Sequence, residues 1–202
     1  MTARRPANWA CAVFCASRTP RSALLRRSAS AFGAALAAHQ VDVLYGAVES
    51  GVMDLVARAA SDAGGRVIGY TTRLFHGKGL TPAGLTRLHV APSLSARKAA
   101  ILKHADFAAV LPGGVGTLDE LFEALALIET GALALPVGVL NAGRYYAPVL
   151  RQLEMGERAG LVNPATRAAL IVEARPQALV ERLLVAAQAK RDGTSRRAFG
   201  VT

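Results

Sequence analysis

The sequence predicts an α/β fold: a Rossmann-like, doubly wound parallel sheet of about seven strands with helices on both faces. Three observations carry this expectation. Short apolar runs alternate with helix-period patterns along the chain. The runs are continuously apolar, as strands buried on both faces are. Small-residue turns close three of them, at Cys15-Ala16-Ser17, Tyr45-Gly46-Ala47 and Pro112–Thr117, where ligands of such sheets bind.

In order, Trp9–Cys15 reads as the first strand, followed by a helix near Arg21–His39. Val41–Tyr45 precedes a helix over Gly51–Ala63, and Arg66–Thr71 opens a Gly/Pro-containing loop. Arg87–Val90 precedes a helix over Ser95–His104, and Asp106–Leu111 one over Thr117–Thr130. Pro136–Leu140 leads into Arg144–Met155, and Ala169–Glu173 is a last short strand before the helix Pro176–Ala189.

The 202 residues, 52% hydrophobic and 19% charged, suit a single globular domain over residues 9–189. Residues 1–8 read as a basic extension and 190–202 as a basic flexible tail. The formal charge of +10 favours anionic partners, but much of it gathers at the ends, in Arg4, Arg5, Arg18, Arg21, Arg26 and Arg27 and in Lys190, Arg191, Arg196 and Arg197. A solvated basic surface therefore explains it better than a nucleic-acid stripe. Cys11 and Cys15, four apart on one strand, would stand about 13 Å apart, beyond disulfide reach. No metal-ligand cluster surrounds them, so a reduced, cytoplasmic protein is the default. Arg4-Arg5 before Trp9–Ala16 loosely imitates a signal peptide, but the apolar stretch is short and reads as the first core strand. No segment is long and apolar enough to span a membrane.

The most informative stretch is Leu111-Pro112-Gly113-Gly114-Val115-Gly116-Thr117-Leu118-Asp119-Glu120. It joins a buried strand to a helix through glycines, aiming backbone N–H groups and a helix N-terminus at an anion. No Gly-x-Gly-x-x-Gly follows the first strand, and Gly77-Lys78-Gly79 lacks the flanks of a triphosphate-binding loop. The turn is sized for one phosphate, with Gly113, Gly114 and Gly116 and the Thr117 hydroxyl as its donors; Ser17 and Gly46 are further candidates. Thr117-Leu118-Asp119-Glu120 is also a capping box, and on those four residues alone the cap is the stronger reading. The preceding run of permissive residues weakens it. Asp119 and Glu123 read as solvent-facing or dipole-favoured acids. Arg97 and Lys98 lie in the first turns of a helix capped by Ser93 or Ser95, where a cation costs roughly 0.3–1 kcal/mol unless an anion binds nearby. His76, His89 and His104 read as unclustered and His39 as the end of a helix, all four structural or surface residues.

Arg97-Lys98, Ala105-Asp106, the run Leu111–Thr117 and Glu120 together resemble the Lonely Guy (LOG) family of nucleoside monophosphate phosphoribohydrolases, which activate cytokinins. The likeness extends from Cys11 to about Leu183. It includes Phe14–Ser17, the loop from Tyr45-Gly46 to Gly51-Val52-Met53, and Pro136–Asn141 with Tyr145-Tyr146. The chain departs from the pattern at Ala16, Ala47 and Val48, where the family usually has glycine, at Leu94-Ser95-Ala96 in place of Met-His-Glu, and at Pro92 in place of Asp.

The resemblance implies hydrolysis of the N-glycosidic bond of a purine nucleoside 5′-monophosphate, with Glu120 and Arg97 catalytic. Gly113, Gly114, Gly116, Thr117, Lys98, Ser17 and Gly46 would hold phosphate and ribose. It implies no metal or other cofactor, and a homodimer whose pocket is completed at the interface; the apolar helices Leu121–Leu127 and Tyr145–Leu150 are candidate surfaces, with core packing the equal alternative. Ala47 and Val48 should narrow the room beside phosphate and sugar. The alternatives are a nucleotide or molybdenum-cofactor carrier on the same scaffold and a nucleic-acid-binding relative. A lysine decarboxylase has no basis here, since no motif suggests a pyridoxal phosphate site.

Overall fold

The computed structural model describes residues 9–77 and 82–198. Seven strands form one wholly parallel sheet: β1 (Ala10–Phe14), β2 (Asp42–Tyr45), β3 (Val67–Thr72), β4 (Arg87–Ala91), β5 (Phe107–Val110), β6 (Val137–Leu140) and β7 (Leu170–Glu173). Their order is β4-β3-β2-β1-β5-β6-β7. β1 sits at the reversal, with Cys11 opposite Val43 of β2 on one side and Phe107 of β5 on the other. The crevice beyond the C-terminal ends of β1 and β5 is thus the ligand position that such sheets offer.

Eight helices connect the strands: α1 (Ala23–Ala38), α2 (Gly51–Asp62), α3 (Arg73–His76), α4 (Leu94–His104), α5 (Val115–Glu129), α6 (Ala147–Arg158), α7 (Pro164–Ala168) and α8 (Pro176–Ala198). The strands bury both faces, so the core is double. Phe32 and Leu36 of α1, Val52 and Val56 of α2, and Leu179 and Leu183 of α8 pack on one face. Ile101 and Leu102 of α4, Leu121 and Leu125 of α5, Tyr146 just before α6 and Leu153 within it pack on the other. Cys11 and Cys15 are free, buried thiols.

The seven expected strands are all present within two residues of their expected bounds, and the differences lie in the helices. The short α3 and α7 carry no periodic signal in the sequence. The helix expected from Arg144 is a 3-10 turn at Ala142–Arg144 followed by α6, because Pro148 stands in the first turn of α6, where its missing N–H costs least. The last helix does not stop at Ala189 but runs to Ala198. Lys190 reaches the Ala134 carbonyl, and the Arg191 guanidinium lies 3.7 Å over the Trp9 ring and 3.1 Å from Asp106 Oδ1. Residues 1–8 and 199–202, and Lys78 and Gly79 of the Gly77-Lys78-Gly79 run, lie outside the described residues.

His89 and His104 are not unclustered. Tyr70, His89 and His104, from β3, β4 and α4, stack with ring centroids 4.7–6.0 Å apart, and Tyr70 Oη lies 3.1 Å from His104 Nδ1. Strand pairing and helix packing bring together rings that are far apart in sequence.

Candidate active site

The glycine stretch forms the first turn of α5. The helix begins at Val115 with Gly114 as its N-cap, and no side chain caps it. The capping box is therefore absent: Thr117 is already the third helical residue, and Glu120 lies beyond reach of that role. The N–H groups of Val115, Gly116 and Thr117 have no partner within the helix and stand at the crevice between β1 and β5.

Two tyrosines anchor this turn from behind. Tyr145 Oη donates to the Gly113 carbonyl at 2.6 Å and Tyr146 Oη to the Leu111 carbonyl at 2.7 Å. With these carbonyls tied back, the amide groups of the turn are left for the crevice. Gly113 is required by packing, since a β-carbon there would meet Thr117 Oγ1 at 2.1 Å. Gly114 and Gly116 have open space where a side chain would stand.

Arg97 enters from α4, whose N-cap is Ser93, bonded through its Oγ to the Ala96 N–H at 3.1 Å. Its Nη2 lies 3.8 Å from Glu120 Oε1, and the two side chains are only 11% and 8% exposed. Arg97 Nε is buried with no hydrogen-bond partner, a donor left unmade inside a site at a cost of about 1–3 kcal/mol. Burial pushes the Glu120 carboxyl up from its ordinary value to about 7, against the pull of Arg97 and Lys98. Burial also lowers the Arg97 guanidinium, with Glu120 opposing. Cys15, a buried thiol of the same cleft, is raised well above its ordinary range by burial and then by Glu120.

The cleft holds about 350 Å³, within the range of small-molecule sites. Ser17, Gly114, Gly116, Thr117, Arg97 and Glu120 line it, and Val48, Met53, Phe75 and Leu94 supply an apolar wall. Three of the expected residues stand elsewhere. Gly113 lies beneath Thr117. Gly46 sits behind the guanidinium, where a β-carbon would meet Arg97 Nη1 at 3.3 Å and the Met53 side chain at 3.2 Å. Lys98 turns away from the cleft to bond Asp119 and Glu123, each at 2.7 Å. Asp119 faces solvent as expected, at 61% exposed, Glu123 is half-buried, and through Lys98 both also hold α4 to α5. Ala47 is a further correction: it is buried in the core with φ +52° and does not line the cleft, so Val48 alone of the pair narrows it.

A family model described as "Possible lysine decarboxylase" matches residues 53–183. A cytokinin riboside 5′-monophosphate phosphoribohydrolase of Rhodococcoides fascians is 36% identical over 169 residues, covering 83% of this chain and 85% of its own. The Arabidopsis thaliana protein of that name, LOG3, is 31% identical over 171 residues, covering 85% of this chain and 80% of its own. The chain belongs to the Lonely Guy (LOG) family.

The solved structures that resemble this LOG-family chain agree in fold. The molybdenum cofactor binding protein of Rippkaea orientalis matches with a TM-score of 0.65 at 19% identity, over 89% of this chain and 97% of that one. The molybdenum cofactor carrier protein of Chlamydomonas reinhardtii matches with 0.65 at 22%, over 89% and 99%.

Proposed function

We propose that this chain hydrolyses the N-glycosidic bond of a purine nucleoside 5′-monophosphate, cytokinin riboside monophosphates among its substrates, to free base and ribose 5-phosphate. The observation that carries the reading is the buried Arg97–Glu120 pair, 3.8 Å apart, beside the uncapped N-terminus of α5. The 5′-phosphate occupies the N–H groups of Val115, Gly116 and Thr117, assisted by the Thr117 and Ser17 hydroxyls and the helix dipole. Glu120 stands one turn further along α5, about 5 Å, which matches the short span from a 5′-phosphate to the ribose ring.

Breaking the bond to the base builds positive charge on the ribose, as in other glycosyl cleavages. The Glu120 carboxylate faces that charge and takes a proton from the attacking water. The water oxygen bonds to C1′, the C1′–N bond breaks, and the departing nitrogen takes a proton from solvent, to which Glu120 returns the one it received. Arg97 holds the substrate and stabilises the negative charge growing on the base. The wall of Val48, Met53, Phe75 and Leu94 receives the base and any apolar substituent. Phosphate binding positions a remote bond, so a nucleoside lacking the phosphate should react slowly.

The test incubates the protein with AMP and isopentenyl-AMP and follows free base by chromatography. Release from a nucleotide, lost in Glu120→Gln with the fold intact, is the expected result. Nucleotide binding without base release would overturn it in favour of a carrier.

The same reading extends to a homodimer. Leu121 and Leu125 are buried in the chain's own core, but Val115, Leu94 and Phe122 are 85%, 52% and 43% exposed near the mouth of the cleft and along α5. A second copy would cover them; light scattering at assay concentration reads the mass directly, and a monomer that remains active would refute it.

A further inference from the structure

A second cavity of about 190 Å³, sharing no lining residue with the active-site cleft, lies along α2. Its lining includes Tyr45, a residue 1% exposed whose hydroxyl has no hydrogen-bond partner. Glu49, Asp54 and Asp62 line the same cavity, with Arg58 as the opposing charge and Ser61 as a neutral hydroxyl. Burial pushes the Tyr45 phenol up, Asp54, Cys15 and Glu49 add to the rise, and Arg58 opposes it. Three carboxylates against one guanidinium leave a local surplus of negative charge, on a chain whose overall charge is +10.

We propose that this cavity binds a small protonated alkylamine, its ammonium group donating to Tyr45 Oη and to the carboxylates of Glu49 and Asp54. The pair already accepts a cationic nitrogen group: Arg58 bonds Asp54 at 2.7 Å and Glu49 at 2.9 Å through a side chain that is 61% exposed. Ala57, Val67 and Leu85 give the methylenes an apolar wall. A metal ion fits less well. Among the described residues no three His, Cys, Asp or Glu side chains converge as ligands, whereas a bound calcium takes six to eight oxygens. A hydroxyl buried without a partner is expensive, and an ammonium supplies the missing bond together with the missing charge. Because the chain as a whole repels cations, binding must come from this local arrangement.

Titration calorimetry with the full chain tests it, using 1,4-diaminobutane as probe and 1,4-butanediol as the uncharged control of equal length. The diamine should bind saturably at one site and more weakly as salt rises, while the diol should not bind. Tyr45→Phe, which keeps the ring, should weaken the diamine at least fivefold, and the exposed-loop variant Glu49→Gln should do so independently. Glu120→Gln should leave diamine binding unchanged, so the outcome is separable from the hydrolase reading. Equal binding of diol and diamine, or diamine binding untouched in both cavity variants, would overturn the proposal.

Discussion

Glu120 is a carboxyl that the fold keeps partly protonated at neutral pH. Burial raises it to about 7, Arg97 restrains the rise, and the consequences for stability and activity have opposite signs. Between its ordinary value near 4.5 and about 7, the folded chain holds a proton here that the unfolded chain has lost. This group's contribution to stability is therefore greatest in acid and falls as pH rises through that window. Activity that uses the carboxylate must rise through the same window. We predict that kcat/KM climbs up to about pH 7 and then levels, and that Glu120→Gln lowers it by about two orders of magnitude or more. Melting temperature, measured against Glu120→Gln, should fall between pH 5 and 8; a parallel rise in both quantities would contradict the assignment.

Ala47 gives a second prediction at this scale. It holds φ +52° where a β-carbon costs roughly 1–2 kcal/mol. Ala47→Gly relieves that strain but gives up a buried methyl, about 0.8 kcal/mol, and adds about 0.4–1 kcal/mol of unfolded-chain entropy. The balance lies near zero. Ala109→Gly, in the buried β5 with ordinary strand geometry, has no strain to relieve, so denaturant titration should find it clearly the more destabilising. Equal losses at the two positions would mean that Ala47 is unstrained.

Among the elements, the turn between β5 and α5 depends on what lies behind it. Losing the Tyr145 hydroxyl frees the Gly113 carbonyl, so Tyr145→Phe should cost about 0.5–1.5 kcal/mol of stability and raise KM more than it lowers kcat. Gly113→Ala should be the harsher change, because its β-carbon would displace Thr117 and with it the first turn of α5; overpacking costs about 1–3 kcal/mol. Thermal melts and steady-state kinetics on both variants check the order.

The glycine turn was legible because strand, small residues and helix follow one another locally. What stands behind it was not, since Tyr145 acts on a carbonyl 32 residues away and no local pattern announces it. The Arg97-Lys98 pair shows a second limit. Adjacent residues on a helix point about 100° apart, so a dipeptide that reads as one cationic unit divides its work. Arg97 enters the cleft, and Lys98 clamps Asp119 and Glu123. The start of α5 was misread by two residues because Val115 and Gly116 carry no helix-start signal, whereas Thr117 does. The Tyr70–His89–His104 stack joins three elements, which periodicity within each cannot reveal.

At the scale of the whole molecule, the sheet separates chemistry from anchoring. The cleft lies beyond the C-terminal ends of the strands, while Trp9, Asp106 and Arg191 gather at the opposite end. There Asp106 also accepts the Ala10 N–H at 2.9 Å. Arg191→Ala should lower the melting temperature by a few degrees, about 1 kcal/mol, and leave KM and kcat unchanged. A change in turnover would show that the two ends are coupled. The alternation of runs made the seven strands and their parallel arrangement legible, but the extent of α8 was not, because contacts of Lys190 and Arg191 with distant residues accompany its continuation.

The reversal of strand order at β1 also bears on how the chain is made. The halves of the crevice, Cys15–Ser17 and Gly114–Glu120, are separated by roughly a hundred residues of sequence. At about 5–20 residues per second, a ribosome delivers them some 5–20 seconds apart. Until β5 emerges, one long edge of β1 has no partner, and its apolar residues are open to other chains. The separation in sequence that creates the crevice therefore creates an interval of aggregation risk during synthesis, which ends when β5 docks and the glycine turn comes into being.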